Sequence, residues 1–359
     1  MFAYALVLLP VSLIAFAATA LPRTSQRAVV FALVSVLTAF AALRGYVGTD
    51  TGAYHTMFER YADESTLEVL GAVEPMFALL LKGVSLLSDS SFAFVVAISL
   101  VQAVLLLTVL ARHQDPATFL ALYTSTFYLS FHFNVLRASV AALLLLLAID
   151  HLRSRETIKF YSVGVLSMLA HYSAAFFVLP MTAMRRNLAT GLLLFATLSA
   201  AALGIIYLLA SDGRLLQYAL YVATIDATDG AQYGAGLLAL FVLYLVIYLC
   251  TLSRSNVRPL TLLFAAWCVV RVASNYYQFI DRVEVVLNLV LLFLMTGHQP
   301  SGQAKAVRQV ALLLLVLLNL YGTLNGLEAS DRGAVEGFDT DPSRYNSAYL
   351  PYRFIWDER

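Results

Sequence analysis

Apolar residues gather in long runs along this chain, broken by short polar stretches. Runs near 2–21, 28–43, 91–111, 117–134, 136–151, 188–210, 234–252, 260–280, 284–297 and 306–325 each predict a membrane-spanning helix. Two further segments are ambiguous. Residues 75–87 hold one short helix and carry Lys82 in the middle; residues 159–184 are long enough for one span but place Ala170-His171-Tyr172-Ser173 at the centre. Ten full spans plus two partial elements is the preferred reading, with twelve conventional spans as the alternative. The pattern thus predicts an all-α polytopic integral membrane protein of about 10–12 transmembrane helices. It forms a single transmembrane domain over 1–325 and an extracytoplasmic tail over 326–359, with no obvious internal repeat and no linker to a second globular domain.

Arginine and lysine in short loops orient such a chain. Arg23 and Arg27 follow the first run, which places that loop in the cytoplasm, the N-terminus outside, and residues 44–74 in an outer loop. Arg254, Arg258, Lys305 and Arg308 mark further cytoplasmic loops, while 211–232, with Arg214 as its one basic residue, falls outside. Arg153, Arg155 and Lys159 precede the second ambiguous segment, and Arg185 and Arg186 follow it. A single crossing would put one of these groups outside, whereas two half-helices meeting near His171 keep both inside, so a re-entrant segment is expected over 159–184. Arg112 is likewise cytoplasmic only if 75–87 does not cross. Ala18-Thr19-Ala20 mimics a signal-peptidase site, but the basic leader region is missing, so 2–21 is expected to be an uncleaved span.

Composition agrees with this class. Apolar residues make up 60% of 359 and charged residues 13%, with a mean hydropathy of +0.79; a soluble domain is nearer half apolar and a quarter charged. A net charge of +1 without a basic stripe gives no reason to expect nucleic acid. Cys250 and Cys268 lie in apolar runs and read as small core residues. The P-loop, G-x-S-x-G and H-E-x-x-H signatures are absent, which argues against ATP-driven transport and zinc proteolysis. No metal or cofactor is expected.

The polar residues that interrupt lipid-compatible sequence carry the candidate chemistry, because charges there are costly and usually face a protein cavity. Arg44 ends the second run, Arg137 opens the fifth, Arg271 lies in "WCVVRVASNYYQF" and Arg282 in "IDRVEVV". All four fall toward the outer leaflet in this topology. Several guanidinium groups at one depth suit a multiply charged, oxygen-rich anion such as a diphosphate. Each has a plainer reading: Arg44 could snorkel to headgroups, Arg282 could pair with Asp281 or Glu284, and Arg137 and Arg271 could form structural ion pairs.

The densest polar stretch is "RGYVGTDTGAYHTMFERY", residues 44–61. Gly45 and Gly48 permit a tight exit from the membrane. Asp50 or Thr51 can cap a helix over about 51–61, whose Tyr54, Met57, Phe58 and Tyr61 recur at i, i+3, i+4 and i+7 as an amphipathic face. Asp50 is either that cap or a carboxylate beside Arg44 at the mouth of a cavity. His171 is either a hydrogen-bonded core histidine or a general base at a helix break. His132 is a weaker candidate, and His55 is expected at the interface.

Taken together, these motifs resemble the EpsG family of exopolysaccharide polymerases, relatives in function of the Wzy O-antigen polymerases. "LRGYVGTDTGAYHTMFERY" is similar to the family's arginine–x–x–valine–glycine–x–aspartate–threonine–x–x–tyrosine signature. "NVLRASVAALLLLLAI", "SMLAHYSAAFFVLP", "YYQFIDRVEVVLNLVLLF" and "YLPYRFIWDER" resemble further family features in the same order. Two departures occur: Ala138 stands where a glutamine is frequent, and Ala170 where a phenylalanine often precedes the histidine. They put details of acceptor or lipid contact in doubt.

The resemblance implies a GT-C-like glycosyltransferase in the bacterial inner membrane, its active site facing the periplasmic side. Its substrate would be undecaprenyl-diphosphate-linked oligosaccharide, with membrane lipid around it and a flippase and chain-length regulator of the same pathway as possible partners. Arg137, Arg282 and Arg44 or Arg271 would hold the leaving diphosphate, with Arg137 acting on the departing charge; Asp50 or His171 would take the acceptor proton. Tyr54, Tyr276 and Tyr277 would stack on sugars or serve as interface aromatics. An O-antigen ligase shares the arginines but usually has a large outer loop late in the chain. A flippase should show internal repeats, and a membrane acyltransferase a histidine–aspartate motif that is not evident here.

Overall fold

The computed structural model describes residues 2–48, 50–184, 235–253, 257–273, 278–298 and 302–333, with 190, 193, 197 and 300 as single positions. Its regular elements are helical, and no strand occurs among the described residues. Among the described residues, four helices are long and apolar enough to cross a membrane: α1 (Phe2–Ala17) with its 3-10 extension to Ala20, α2 (Arg23–Ala42), α6 (Ser91–Arg112), and α14 (Gln303–Gly333) through its stretch Gln303–Leu327. The chain is a helical membrane protein. Apart from positions 190, 193 and 197, the expected span at 188–210 and the loop at 211–232 lie outside the described residues.

Two compact units form, Met1–Tyr172 with Thr296–Arg359, and Ser173–Met295. In the first, α8 (Leu136–Arg153) is central. Its residues from Ser139 through Ile149 are buried around the whole circumference, as befits a helix apolar on every face. It pairs with α9 (Thr157–Ala170) in a hairpin and packs on α6. Ser167 Oγ of α9 donates to Ala141 O of α8 at 2.7 Å. Helix α7 (Pro116–Thr126) packs against α1, α2 and α14.

The run at 117–134 is not one span. Helix α7 stops after 11 residues at Thr126, and a wide π turn occupies Ser130–Asn134 before α8 begins. Irregular backbone inside a membrane protein persists only where its polar groups find partners, and side chains from distant helices supply them. Thr323 Oγ1 donates to Ser125 O at 2.9 Å, and Asn319 Nδ2 donates to Thr126 Oγ1 at 2.7 Å. Gln102 Nε2 donates to Phe131 O at 3.0 Å. None of these partners is visible in the local hydropathy of the run.

Between α2 and α6 lie three short helices, α3 (Thr51–Tyr61), α4 (Thr66–Ala72) and α5 (Pro75–Ser85). A Ser65–Glu68 capping box starts α4. Helix α5 has 11 residues, about 16 Å of rise, roughly half the hydrocarbon thickness. Lys82, puzzling in an apolar run, donates to Ala62 O at 2.6 Å and Glu64 O at 2.7 Å. It ties α5 to the carbonyls that follow α3.

The ambiguous segment 159–184 does break at its centre. Helix α9 ends at Ala170, His171 is extended (φ −159, ψ 123), a 3-10 turn follows at Tyr172–Ala174, and α10 (Ala175–Met184) comes next. The second unit also contains α11 (Ala235–Thr251), α12 (Val257–Ala273) and α13 (Gln278–Thr296). Its core stacks Tyr244 on Trp267 with centroids 4.2 Å apart, and Trp267 Nε1 donates to the buried Glu284 Oε1 at 2.8 Å. This bond satisfies a carboxylate that would otherwise be costly to bury.

Candidate active site

The signature stretch folds as a docking hook. Gly48 has φ +110, and a Cβ there would come 2.2 Å from Phe133 O. Only glycine tolerates both the backbone conformation and the approach. Thr51 Oγ1 then contacts Val47 O at 2.7 Å and Phe133 O at 3.1 Å, so valine, glycine and threonine of the signature fasten α3 to the π turn ahead of α8. Asp50 occupies the N-cap position of α3, but its side chain makes no capping bond to that helix.

Arg44 is fully buried. Its Nη1 donates to Ala41 O at 2.8 Å, and its guanidinium lies 4.9 Å from the centre of the Phe133 ring. It therefore does not snorkel to headgroups; enclosed on this side, it supports the Phe133 turn through cation–π and backbone contacts and does not present an open guanidinium. His55 is not interfacial either. Helix α3 buries Thr51, Tyr54, His55 and Phe58, a face rotated from the expected one. His55 Nδ1 meets Ser91 Oγ at 2.9 Å. Burial, with Arg44 nearby, pushes its imidazole down to about 3, so the ring is neutral.

Arg137, His171 and Tyr54 do come together, around a residue the sequence reading passed over. Glu74, the residue before Pro75 at the start of α5, accepts from Arg137 Nη1 on Oε2 at 2.5 Å and from His171 Nδ1 on Oε1 at 2.8 Å. The carboxylate side chain is 7% exposed, while Arg137 is 37% and His171 25% exposed. The anion is therefore sunk and both of its partners reach the surface. Burial pushes the Glu74 carboxyl up, but hydrogen bonds from His171 and from its own backbone N–H, with the charge and hydrogen bond of Arg137, outweigh it, holding the group at about 2.

Tyr54 lies beneath Arg137. Its hydroxyl accepts from the Arg137 backbone N–H at 3.3 Å, and its ring centre lies 5.9 Å from the guanidinium. That bond satisfies one of the donors left over in the first turn of α8. Burial holds the phenol above its usual range against the pull of Arg137. The ring is buried in this position. Asp50 acts on the same phenol electrostatically, which places it in the neighbourhood of Tyr54.

The remaining candidates belong to the second unit, Ser173–Met295. Arg271 is part-exposed on α12, one turn from Trp267. Arg282 falls within α13, but its side chain lies outside the described residues, as do Tyr276 and Tyr277. Glu74 itself leaves a faint trace in the sequence: a carboxylate directly before Pro75 and a short apolar helix. That places it at a helix start but not beside residues 63 and 97 positions away. Among the described residues no group of three or more His, Cys, Asp or Glu side chains is placed to hold a metal ion.

The arrangement pairs a guanidinium, able to bind an anion, with an oriented imidazole, able to take a proton. No protein of curated function and no solved structure matches the chain. One family model, described as the EpsG family, matches residues 27–353, a range that takes in the hook, Glu74, Arg137 and His171. With most of its length matched, the chain belongs to the EpsG family, whose members are Wzy-type polymerases.

Proposed function

We propose that this protein polymerises lipid-linked oligosaccharide repeats, moving the growing glycan from undecaprenyl diphosphate onto the next lipid-linked repeat. The observation that carries this reading is the buried Glu74 flanked by two partly open groups, Arg137 and His171. Arg137 receives the diphosphate of the donor, beside the N-terminus of α8, where helix geometry also favours an anion. His171 is the base. With Nδ1 on Glu74, its Nε2 faces away from the carboxylate and is the nitrogen left to take a proton.

In the reaction, the acceptor hydroxyl oxygen attacks the anomeric carbon and a new C–O bond forms. The bond from that carbon to the diphosphate oxygen breaks, and its electron pair leaves with the lipid diphosphate. The hydroxyl proton passes to His171 Nε2. Arg137 stabilises the charge gathering on the leaving oxygen, and no metal is needed in this scheme. Arg271 and Arg282 are further diphosphate ligands in the proposal, and Tyr277 a sugar contact. Asp50 is the competing base. The site opens to the periplasmic side of the inner membrane, the helices follow a GT-C-like architecture, and α9 with α10 forms the re-entrant element.

The test is glycan length on lipid diphosphate in proteoliposomes supplied with the cognate lipid-linked repeat. Wild type gives a ladder of lengthening products; Arg137→Ala and His171→Ala remove it while inserting normally, and Asp50→Asn retains it. A wild type that leaves length unchanged but moves substrate between leaflets overturns the reading in favour of a flippase. Transfer of a finished glycan to a different lipid acceptor overturns it in favour of a ligase.

A further inference from the structure

We infer that Glu74 is a positioning residue that couples arrival of the donor diphosphate to the basicity of His171, an inference that rests on the polymerase reading. The carboxylate is shared, with Oε2 on Arg137 and Oε1 on His171. A buried carboxylate must keep a cationic or donor partner, because leaving it unpaired in a low-dielectric setting is strongly unfavourable. In the resting protein Arg137 supplies that charge. A diphosphate that takes over Arg137 weakens the Arg137–Glu74 pair and leaves His171 as the remaining side-chain partner, with the backbone N–H of Glu74 itself beside it. Proton uptake at Nε2 then restores a counter-charge to Glu74. Donor seating thereby makes His171 a better base at the moment an acceptor hydroxyl needs one.

The backbone is built to keep Glu74 in place during that exchange. It directly precedes Pro75 and has the extended conformation (φ −54, ψ 139) that a following proline favours. Phe77, Ala78 and Leu81 of α5 are buried, and Lys82 fixes the same helix to the carbonyls of Ala62 and Glu64. Tyr54 holds Arg137 from below through its backbone. The carboxylate is thus fixed by α5, the guanidinium by α8 and α3, and the imidazole by the extended residue that ends α9.

The experiment is steady-state kinetics of glycan lengthening in proteoliposomes for wild type, Glu74→Gln, Glu74→Asp, His171→Ala and the Glu74→Gln/His171→Ala double variant. Glu74→Gln is expected to lower kcat by at least about 30-fold while donor KM stays level or falls, because Arg137 loses its competing anion. Glu74→Asp recovers part of kcat. The double variant is no slower than His171→Ala alone, since Glu74 acts through the histidine. A raised donor KM with unchanged kcat in Glu74→Gln, or multiplicative losses in the double variant, overturns the inference. If Glu74→Gln fails to insert, the same split read on Glu74→Asp decides.

A second readout does not depend on turnover. Residue-resolved labelling of His171 by diethyl pyrocarbonate is expected to fall about threefold or more in Glu74→Gln, as the resting neutral ring loses the carboxylate that makes its Nε2 the stronger nucleophile. If wild type lengthens no glycan but this labelling changes, the positioning role stands and the polymerase reading falls. If glycan lengthens and labelling is unchanged, the coupling falls and the polymerase reading stands.

Discussion

At one end of α8, Arg137 and His171 meet on Glu74; at the other, Asp150 takes Arg112, and Glu156 takes Arg112, His151 and Lys159. Both clusters bring arginine, carboxylate and histidine together, and in both the histidine uses Nδ1 toward a glutamate. Their layering is opposite. At the second end the histidine side chain is sunk, at 11% exposure, while Glu156 is 35% exposed. Glu156 also takes Lys159 at 2.9 Å, and Arg112 takes Asp150 at 2.6 Å. His151, Glu156 and Lys159 come from the α8–α9 turn, which bends through Arg155 at φ 60. That cluster closes a hairpin. At the first end the carboxylate is the sunk member, and its partners lie 63 and 97 positions further along the chain. A histidine–carboxylate contact is therefore no sign of chemistry by itself; what matters is which member faces out.

The largest expected effect breaks the two ends apart. Arg137→Ala should reduce glycan lengthening by at least about 100-fold, the scale of losing a group that stabilises developing charge. Arg112→Ala should leave lengthening within about threefold and cost about 1 kcal/mol or less of stability, as expected for a solvent-screened pair. Lengthening assays and detergent melts on both variants measure this. Comparable activity losses at the two ends would show that the layering carries no functional meaning.

Next in size is the hook that delivers α3 to the Arg137 end. Gly48→Ala forces a side chain against Phe133 O at a backbone conformation that L-residues rarely adopt. Its expected cost exceeds about 2 kcal/mol, read as a lowered melting temperature. Thr51→Val, which keeps shape but loses the contacts to Val47 O and Phe133 O, should cost about 1 kcal/mol. A wild-type melt for Gly48→Ala would mean that the close approach to the π turn is not what makes this glycine necessary.

These two variants also mark what was legible in the sequence. Helix class, the membrane environment, the break at His171 and the tight turn at Gly48 follow from hydropathy runs, loop charges and turn residues, and misplaced polar groups singled out Arg137 and His171, which the fold brings to one carboxylate. Glu74 did not emerge, because an acidic residue in a polar loop is ordinary and its partners lie far along the chain. The split of 117–134 was hidden for a similar reason: the side chains that satisfy the broken backbone come from α6 and α14. Tyr54 was found, but its bond to the backbone of Arg137 was not, since amphipathic spacing marks one face of a helix without saying what lies above it. The common factor is tertiary pairing of polar groups, which local pattern does not encode.

The smallest effects sharpen the comparison through pH. Glu74 and Glu156 are both held at about 2, well below the ordinary carboxyl value of 4.5. Burial opposes the shift at Glu74, where His171 and Arg137 overcome it; at Glu156 the hydrogen bond from Lys159 leads, with His151 next. A carboxyl depressed on folding stabilises the protein above its unfolded value, and that stabilisation is lost as pH falls through the folded value. Melts of wild type against Glu74→Gln should therefore differ by a constant amount above pH 4.5 and converge toward pH 2. Glu156→Gln should give the same shape with a smaller amplitude, because its glutamate is open to solvent. Salt separates them further. At 1 M the screening length is about 3 Å, so the Glu156 difference should nearly vanish while the Glu74 difference survives beneath its partners. If salt erased both equally, Glu74 would be as solvated as Glu156, and the opposite layering of the two ends would not hold in solution.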